Sequence, residues 1–268
     1  MSYIDAIIYG IIQGLTEFLP VSSSGHLALL PSLLTIKDPG VSFDLAMHIG
    51  TALAIMCYFY KDIISLLKNA FLLLDFKAEL NNEKRRSLHM IIATFSTGVI
   101  ALCLKDFAEH YGRSNSFIAC NLVFFGLLMW FSDAKFKESE EEVLIEKGSW
   151  KKALLIGLFQ SLALFPGVSR SGITLTTARF LSISRNEASK FSFLLSLPLI
   201  VGGAALKFPE IIRGNGAFDL SSCLVGVVIS FLVGLLTIHF FLKFIKKIGL
   251  LPFAVYRFIM AGLVLALL

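Results

Sequence analysis

The chain has 268 residues, of which 56% are hydrophobic and 16% charged, with a mean hydropathy of +0.78. A soluble domain is nearer half apolar and a quarter charged, so this composition excludes a soluble globular protein and points to one embedded in lipid. The net charge of +5 and isoelectric point near 9.0 do not mark a nucleic-acid binder, because the basic residues sit in short loops between apolar segments.

The start, MSYIDAI, has neither the basic run nor the small-residue cleavage site of a signal peptide, so the first apolar segment is expected to stay in the mature protein. A membrane span takes about 20 apolar residues. Residues 3–19 are apolar but stop at Pro20 and the serines that follow, and 27–36 are too short to cross. Together, 3–36 reads as a re-entrant pair: a half-helix in, a polar turn, a half-helix out. Irregular backbone at membrane depth survives only where protein or water satisfies it, so the turn is expected to line a cavity. Full spans are predicted at 43–60, 87–104 and 117–132, with a loop at 61–86 and a linker at 133–152 that carries the acidic run Glu138 to Glu142. A second re-entrant pair at 153–181 precedes spans at 191–207, 218–240 and 250–268. Cys57, Cys103, Cys120 and Cys223 lie in apolar segments without paired spacing and read as buried free thiols.

One stretch occurs twice. QGLTEFLPVSSSGH, Gln13 to His26, aligns without a gap on QSLALFPGVSRSGI, Gln160 to Ile173. Gln13 falls on Gln160, Phe18 on Phe165, Ser22 on Ser169, Ser24 on Ser171 and Gly25 on Gly172; upstream, Ala6 meets Ala153 and Gly10 meets Gly157. Each half, 1–132 and 153–268, is then one re-entrant pair plus three spans. Three is odd, so the halves must lie in opposite orientation. The predicted fold is an all-α integral membrane protein with six full spans and two re-entrant broken-helix pairs in an inverted-topology repeat, an arrangement that puts a site near the midplane where the broken helices meet. Most lysines and arginines, among them Lys61, Arg85, Lys135, Lys152, Arg185 and Lys243, fall on one side. The positive-inside rule makes that side cytoplasmic and places both termini and the mouth of the first pair outside.

The polar residues of the two copies are complementary. Glu17, Ser23 and His26 of the first stand opposite Leu164, Arg170 and Ile173 of the second. An ionisable group in an apolar half-helix is a functional candidate by default. Glu17 lies one turn from Gln13, and two oxygen donors on one helix face suit a hard cation such as Mg²⁺ or Ca²⁺; the other reading is a buried ion bridge from Glu17 to Arg170. Arg170 sits in PGVSRSG, where Pro166 and Gly167 end one half-helix and Ser169 and Ser171 open the next. A guanidinium beside a helix N-terminus fits phosphate oxygens, and Thr174, one turn on, can add a hydroxyl. Ser22, Ser23, Ser24 and His26 form the matching turn, where a serine near a histidine and a carboxylate suggests nucleophile, base and orienter, or simply helix caps. His48 opens a span and is a candidate for the edge of the same pocket, a bland place at the span's start being the other reading. Arg257, inside an apolar span, needs a partner, either structural or in the pocket.

These motifs carry a family likeness. Gln13 to Glu17, FLPVSSSGH, PGVSRSGIT and LPFAVYRF resemble the undecaprenyl-pyrophosphate phosphatases of the bacitracin-resistance type, over nearly the whole chain. The resemblance implies a bacterial inner-membrane enzyme that takes one phosphate from the C55 polyprenyl diphosphate lipid and returns the carrier to cell-wall synthesis. It also implies a divalent cation, and site roles for Glu17, Ser23, His26, Ser169, Arg170, Ser171 and Thr174. Many members have Glu where this chain has Gln13, which favours Glu17 over Gln13 as ligand. On this reading Arg170 faces Glu17 and His26 across a diphosphate-sized gap, and the attacking group is Ser23, His26 or a water. Inverted repeats also serve transporters, so a transporter or flippase for a lipid phosphate is the rival. Oligomeric state is open, a homodimer included.

Overall fold

The structure is a computed structural model that describes residues 2–34, 40–75, 79–111, 114–136, 149–213 and 220–267. Among these the fold is entirely helical: α1 (Tyr3–Thr16), α2 (Ser23–Leu34), α3 (Val41–Tyr58), α4 (Tyr60–Leu72), α5 (Asn82–Tyr111), α6 (Asn115–Lys135), α7 (Trp150–Gln160), α8 (Arg170–Phe180), α9 (Arg185–Arg213), α10 (Leu220–Ile248) and α11 (Leu251–Leu267). The acidic run Glu138 to Glu142 lies outside the described residues.

Among the described residues four helices are long and apolar enough to cross a membrane: 82–104 of α5, α6, 185–205 of α9, and α10. Two of the six expected spans come out differently. Residues 43–60 become α3, which meets α4 at an 84° bend on Phe59. The stretch 61–86 is therefore no loop; α4 fills its first half and α5 begins at Asn82. Lys61, Asp62 and Lys68 made α4 look like a solvated connection, but its apolar residues lie on one face, as in a helix at an interface. At the other end, Gly249 at φ 70° separates α10 from α11, and α11 keeps only 17 residues. That backbone region costs glycine nothing, so the chain turns there and Pro252 enters the first turn of the new helix. The cysteines also differ from expectation. Cys223 is buried, but Cys57, Cys103 and Cys120 are exposed on the outer faces of their helices.

Small residues set the packing that carries the two broken pairs. α1 lies along α10, where a Cβ on Gly10 would stand 2.7 Å from the Gly226 carbonyl oxygen. α7 lies along α5, where a Cβ on Gly157 would stand 2.4 Å from the Ala93 oxygen. Close backbone approach of this kind is how helices associate when lipid removes the hydrophobic drive. Thr97 Oγ adds a bond of 2.8 Å to the Gly157 carbonyl and accepts Gln160 Nε2 at 2.9 Å. α6 packs on α11.

At one end of the bundle Asp133 of α6 gathers three neighbours. It accepts Arg179 Nε at 3.0 Å, Arg185 Nε at 2.7 Å and the Leu250 amide at 2.9 Å. Toward the centre, Phe18 meets Phe193 edge-on at 5.3 Å, and Phe193 touches Phe59 and Phe241. Phe59 of this packing also lines an open cavity of about 520 Å³, together with Tyr58, Asp62, Lys190, His239 and Lys243.

Candidate active site

The two repeated stretches build turns of the same local geometry. α1 and α7 start on serine caps, Ser2 and Ser149. Each is followed by a break and a second helix, α2 or α8. Ser22 and Ser169 both take positive φ, 75° and 69°. Their hydroxyls accept the amides of Gly25 (3.4 Å) and Gly172 (3.1 Å) and lie 3.2 and 3.4 Å from Ser24 Oγ and Ser171 Oγ. A left-handed serine is strained, and its capping bond offsets part of that cost. Thus Ser22 and Ser169 cap the helices that follow, with Ser24 beside Ser22, while Ser171 reaches across to the other turn and donates to the Leu19 carbonyl at 3.0 Å.

One buried side chain holds the turns together from outside. Arg257 of α11 gives Nε to Leu122 O (3.1 Å), Nη1 to Val168 O (3.0 Å) and Pro20 O (3.4 Å), and Nη2 to Gly167 O (2.7 Å) and Asn121 O (3.2 Å). Its partners are therefore backbone, and its role is structural. Asn121 adds a bond of 2.9 Å to the Pro166 carbonyl.

Where the turns meet, Glu17 is buried and four side chains converge on it. Arg170 Nη2 pairs with its Oε1. Its Oε2 accepts Ser23 Oγ at 2.8 Å and Gln13 Nε2 at 2.9 Å, with His48 Nε2 at 3.5 Å. Arg170 also gives Nη1 to the Ser196 carbonyl at 3.1 Å. Desolvating such a pair costs several kcal/mol per ion before their attraction and hydrogen bonds offset it, so this cluster is a poor choice for stability alone. Thr174 turns inward, with Oγ 2.6 Å from Ser192 Oγ and bonded to the Arg170 and Ser171 carbonyls.

Two expectations change. Arg170 and Glu17 were placed across a diphosphate-sized gap; they are in direct contact. Ser23 was placed beside His26 as a nucleophile and base. Instead Ser23 donates to Glu17, and His26 turns its Nδ1 to the Ser22 carbonyl at 2.8 Å and its Nε2 to the Tyr256 hydroxyl at 2.7 Å. The physical reason is helical spacing: His26 lies one turn beyond Ser22, whose carbonyl is the nearest acceptor. Sequence reasoning missed Tyr256, although it neighbours Arg257 in the segment LPFAVYRF.

The donor set suits a hard cation. Gln13 Oε1 is buried without a hydrogen-bond partner, one turn from the Glu17 carboxylate. An orphaned buried amide oxygen costs about 1–3 kcal/mol unless something satisfies it. Among the described residues no three His, Cys, Asp or Glu side chains gather as a complete metal site.

Residues 6–263 match the family model described as bacitracin resistance protein BacA. The chain is 41% identical over 267 residues to undecaprenyl-diphosphatase 2 of Stutzerimonas stutzeri (strain A1501), covering all of this chain and 98% of the relative. It is 41% identical over 268 residues to undecaprenyl-diphosphatase 1 of Pseudoalteromonas translucida (strain TAC 125), covering all of this chain and 99% of the relative.

Proposed function

This chain belongs to the BacA family of bacitracin resistance proteins, and from that premise we propose that it removes the terminal phosphate of undecaprenyl diphosphate at the Glu17–Arg170 cluster. The observation that carries this reading is the meeting of Glu17 from one repeated stretch with Arg170 from the other, with Ser23 and Gln13 bonded to the same carboxylate.

In the resting state Glu17 neutralises Arg170. The incoming diphosphate competes for the guanidinium, whose planar fork matches phosphate oxygens better than a single carboxylate oxygen does. Amides at the start of α8 lie beside Arg170 and favour the same anion. Ser169, Ser171 and Thr174 hold that turn in place through the bonds given above. Ser23 is the nucleophile best supported by geometry, because its proton already points at Glu17. Glu17, rather than His26, is then its base, and attack by a water in the same place is the alternative. Phosphoryl transfer needs chiefly this positioning and charge stabilisation. A divalent ion, Mg²⁺ or Ca²⁺, would be held by Gln13 Oε1 and Glu17 and would neutralise phosphate charge there.

The same premise extends to placement. The paired turn geometries, and the packing of α1 on α10 against that of α7 on α5, support two halves related by inversion. The charge bias supports a mouth for the cluster on the outer face of a bacterial inner membrane, with both termini outside. The released carrier monophosphate would return to cell-wall synthesis.

The test is phosphate release from undecaprenyl diphosphate by the detergent-purified protein, with and without EDTA. Turnover that EDTA abolishes is expected. Absence of phosphate release in detergent, where a transporter also has no work to do, would refute the reading.

A further inference from the structure

We infer that Tyr256 is a positioning residue for His26, holding the imidazole in place through both of its protonation states. The inference rests on His26 keeping the place in the phosphatase site that the family resemblance implies, as a proton carrier distinct from Glu17, the proposed base for Ser23. A carbonyl oxygen only accepts hydrogen bonds. His26 Nδ1, at 2.8 Å from the Ser22 carbonyl, therefore carries a hydrogen. In the neutral ring Nε2 is then a bare acceptor, and the Tyr256 hydroxyl at 2.7 Å donates to it. A phenol also accepts. When Nε2 gains a proton, the same oxygen receives that hydrogen bond. The contact survives the gain and loss of the proton, which neither a carbonyl nor an ammonium partner would allow.

The rings reinforce the bond. They lie within 3° of parallel, with centroids 5.5 Å apart. Tyr256 is itself fixed, because Arg257, the next residue, is anchored to the carbonyls of Pro20, Gly167 and Val168. The side that reaches the surroundings is the tyrosine: Tyr256 is 41% exposed and His26 7%. A reacting group that uses Nε2 must first displace the phenol or share it. The serine that sequence spacing offers as partner, Ser23, is engaged by Glu17 instead.

The experiment uses the full-length protein in detergent, as wild type and as Tyr256→Phe, which keeps the ring and removes the hydroxyl. Diethyl pyrocarbonate carries the first readout, since it reacts only with an imidazole nitrogen bearing a lone pair; peptide mass spectrometry resolves each histidine. The expected result is His26 labelling about fivefold faster in Tyr256→Phe, the factor that one hydrogen bond of about 1 kcal/mol is worth. His48 and His239 should label at wild-type rates, which also reports an intact fold. The second readout is kinetic: kcat should fall about tenfold with KM little changed, as for a lost aid to proton handling. Unchanged His26 labelling would overturn the inference, and so would faster labelling with full kcat. A His26→Ala variant that turns over normally would instead remove the premise, and the labelling result would still stand by itself.

Discussion

Glu17 and Arg170 carry the chemistry only if each does something a neighbour cannot. Arg170→Lys keeps the charge but loses the planar fork, so kcat/KM is expected to fall by about 10²-fold, as for loss of a transition-state donor; phosphate release measures it, and a change under threefold would count against the clamp. Gln13 offers a quieter test. Its unpartnered Oε1 predicts that Gln13→Leu leaves the fold intact and raises the divalent-ion concentration for half-maximal activity by about tenfold, as for a lost ligand-shell contact. At this scale the sequence was partly legible. A carboxylate and a guanidinium in apolar segments had few ways to be satisfied except by each other, and they do meet. Ser23 was assigned to the wrong partner because spacing gives proximity along the helix but not the rotamer. The bond from His26 to Tyr256 spans most of the chain's length and left no local trace.

At the scale of elements, the turns depend on α11. Arg257 satisfies carbonyls of both broken pairs and of α6. Arg257→Leu would leave several buried acceptors unpaired at about 1–3 kcal/mol each, and thermal unfolding in detergent is expected to drop by about 10 °C. Asp133 plays the corresponding part at the other end of the bundle. Asp133→Ala would take the carboxylate from the buried Arg179, leaving it its bonds to the Ile183 and Phe136 carbonyls, and is expected to cost about 3 kcal/mol. The same melting experiment reads it, and a shift below 2 °C would remove that role. The broken helix pairs were visible in the sequence because Pro, Gly and Ser interrupt apolar runs that would otherwise span. The bend at Phe59 was not, because it involves neither Pro nor Gly; it shows only in the switch from an apolar α3 to an amphipathic α4.

For the whole molecule, ring contacts run from Phe18, next to Glu17, through Phe193 to Phe59, which lines the charged cavity. The proposed topology puts the basic loops inside and the C-terminus outside, so a reporter enzyme active only in the cytoplasm should be silent when fused after Leu268; strong activity would invert the topology. Composition and charge were enough to place the chain in a membrane, but the lengths of individual spans were set by backbone breaks that hydropathy does not register.

The central claim is that Glu17 and Arg170 act as one unit on the diphosphate, and a double-mutant cycle in the phosphate-release assay tests it most directly. Glu17→Gln and Arg170→Lys should each lower kcat/KM by about 10²-fold, and the double variant should be little worse than either, as for residues that work together. Losses that multiply, or near-wild-type turnover in either single variant, would contradict the account.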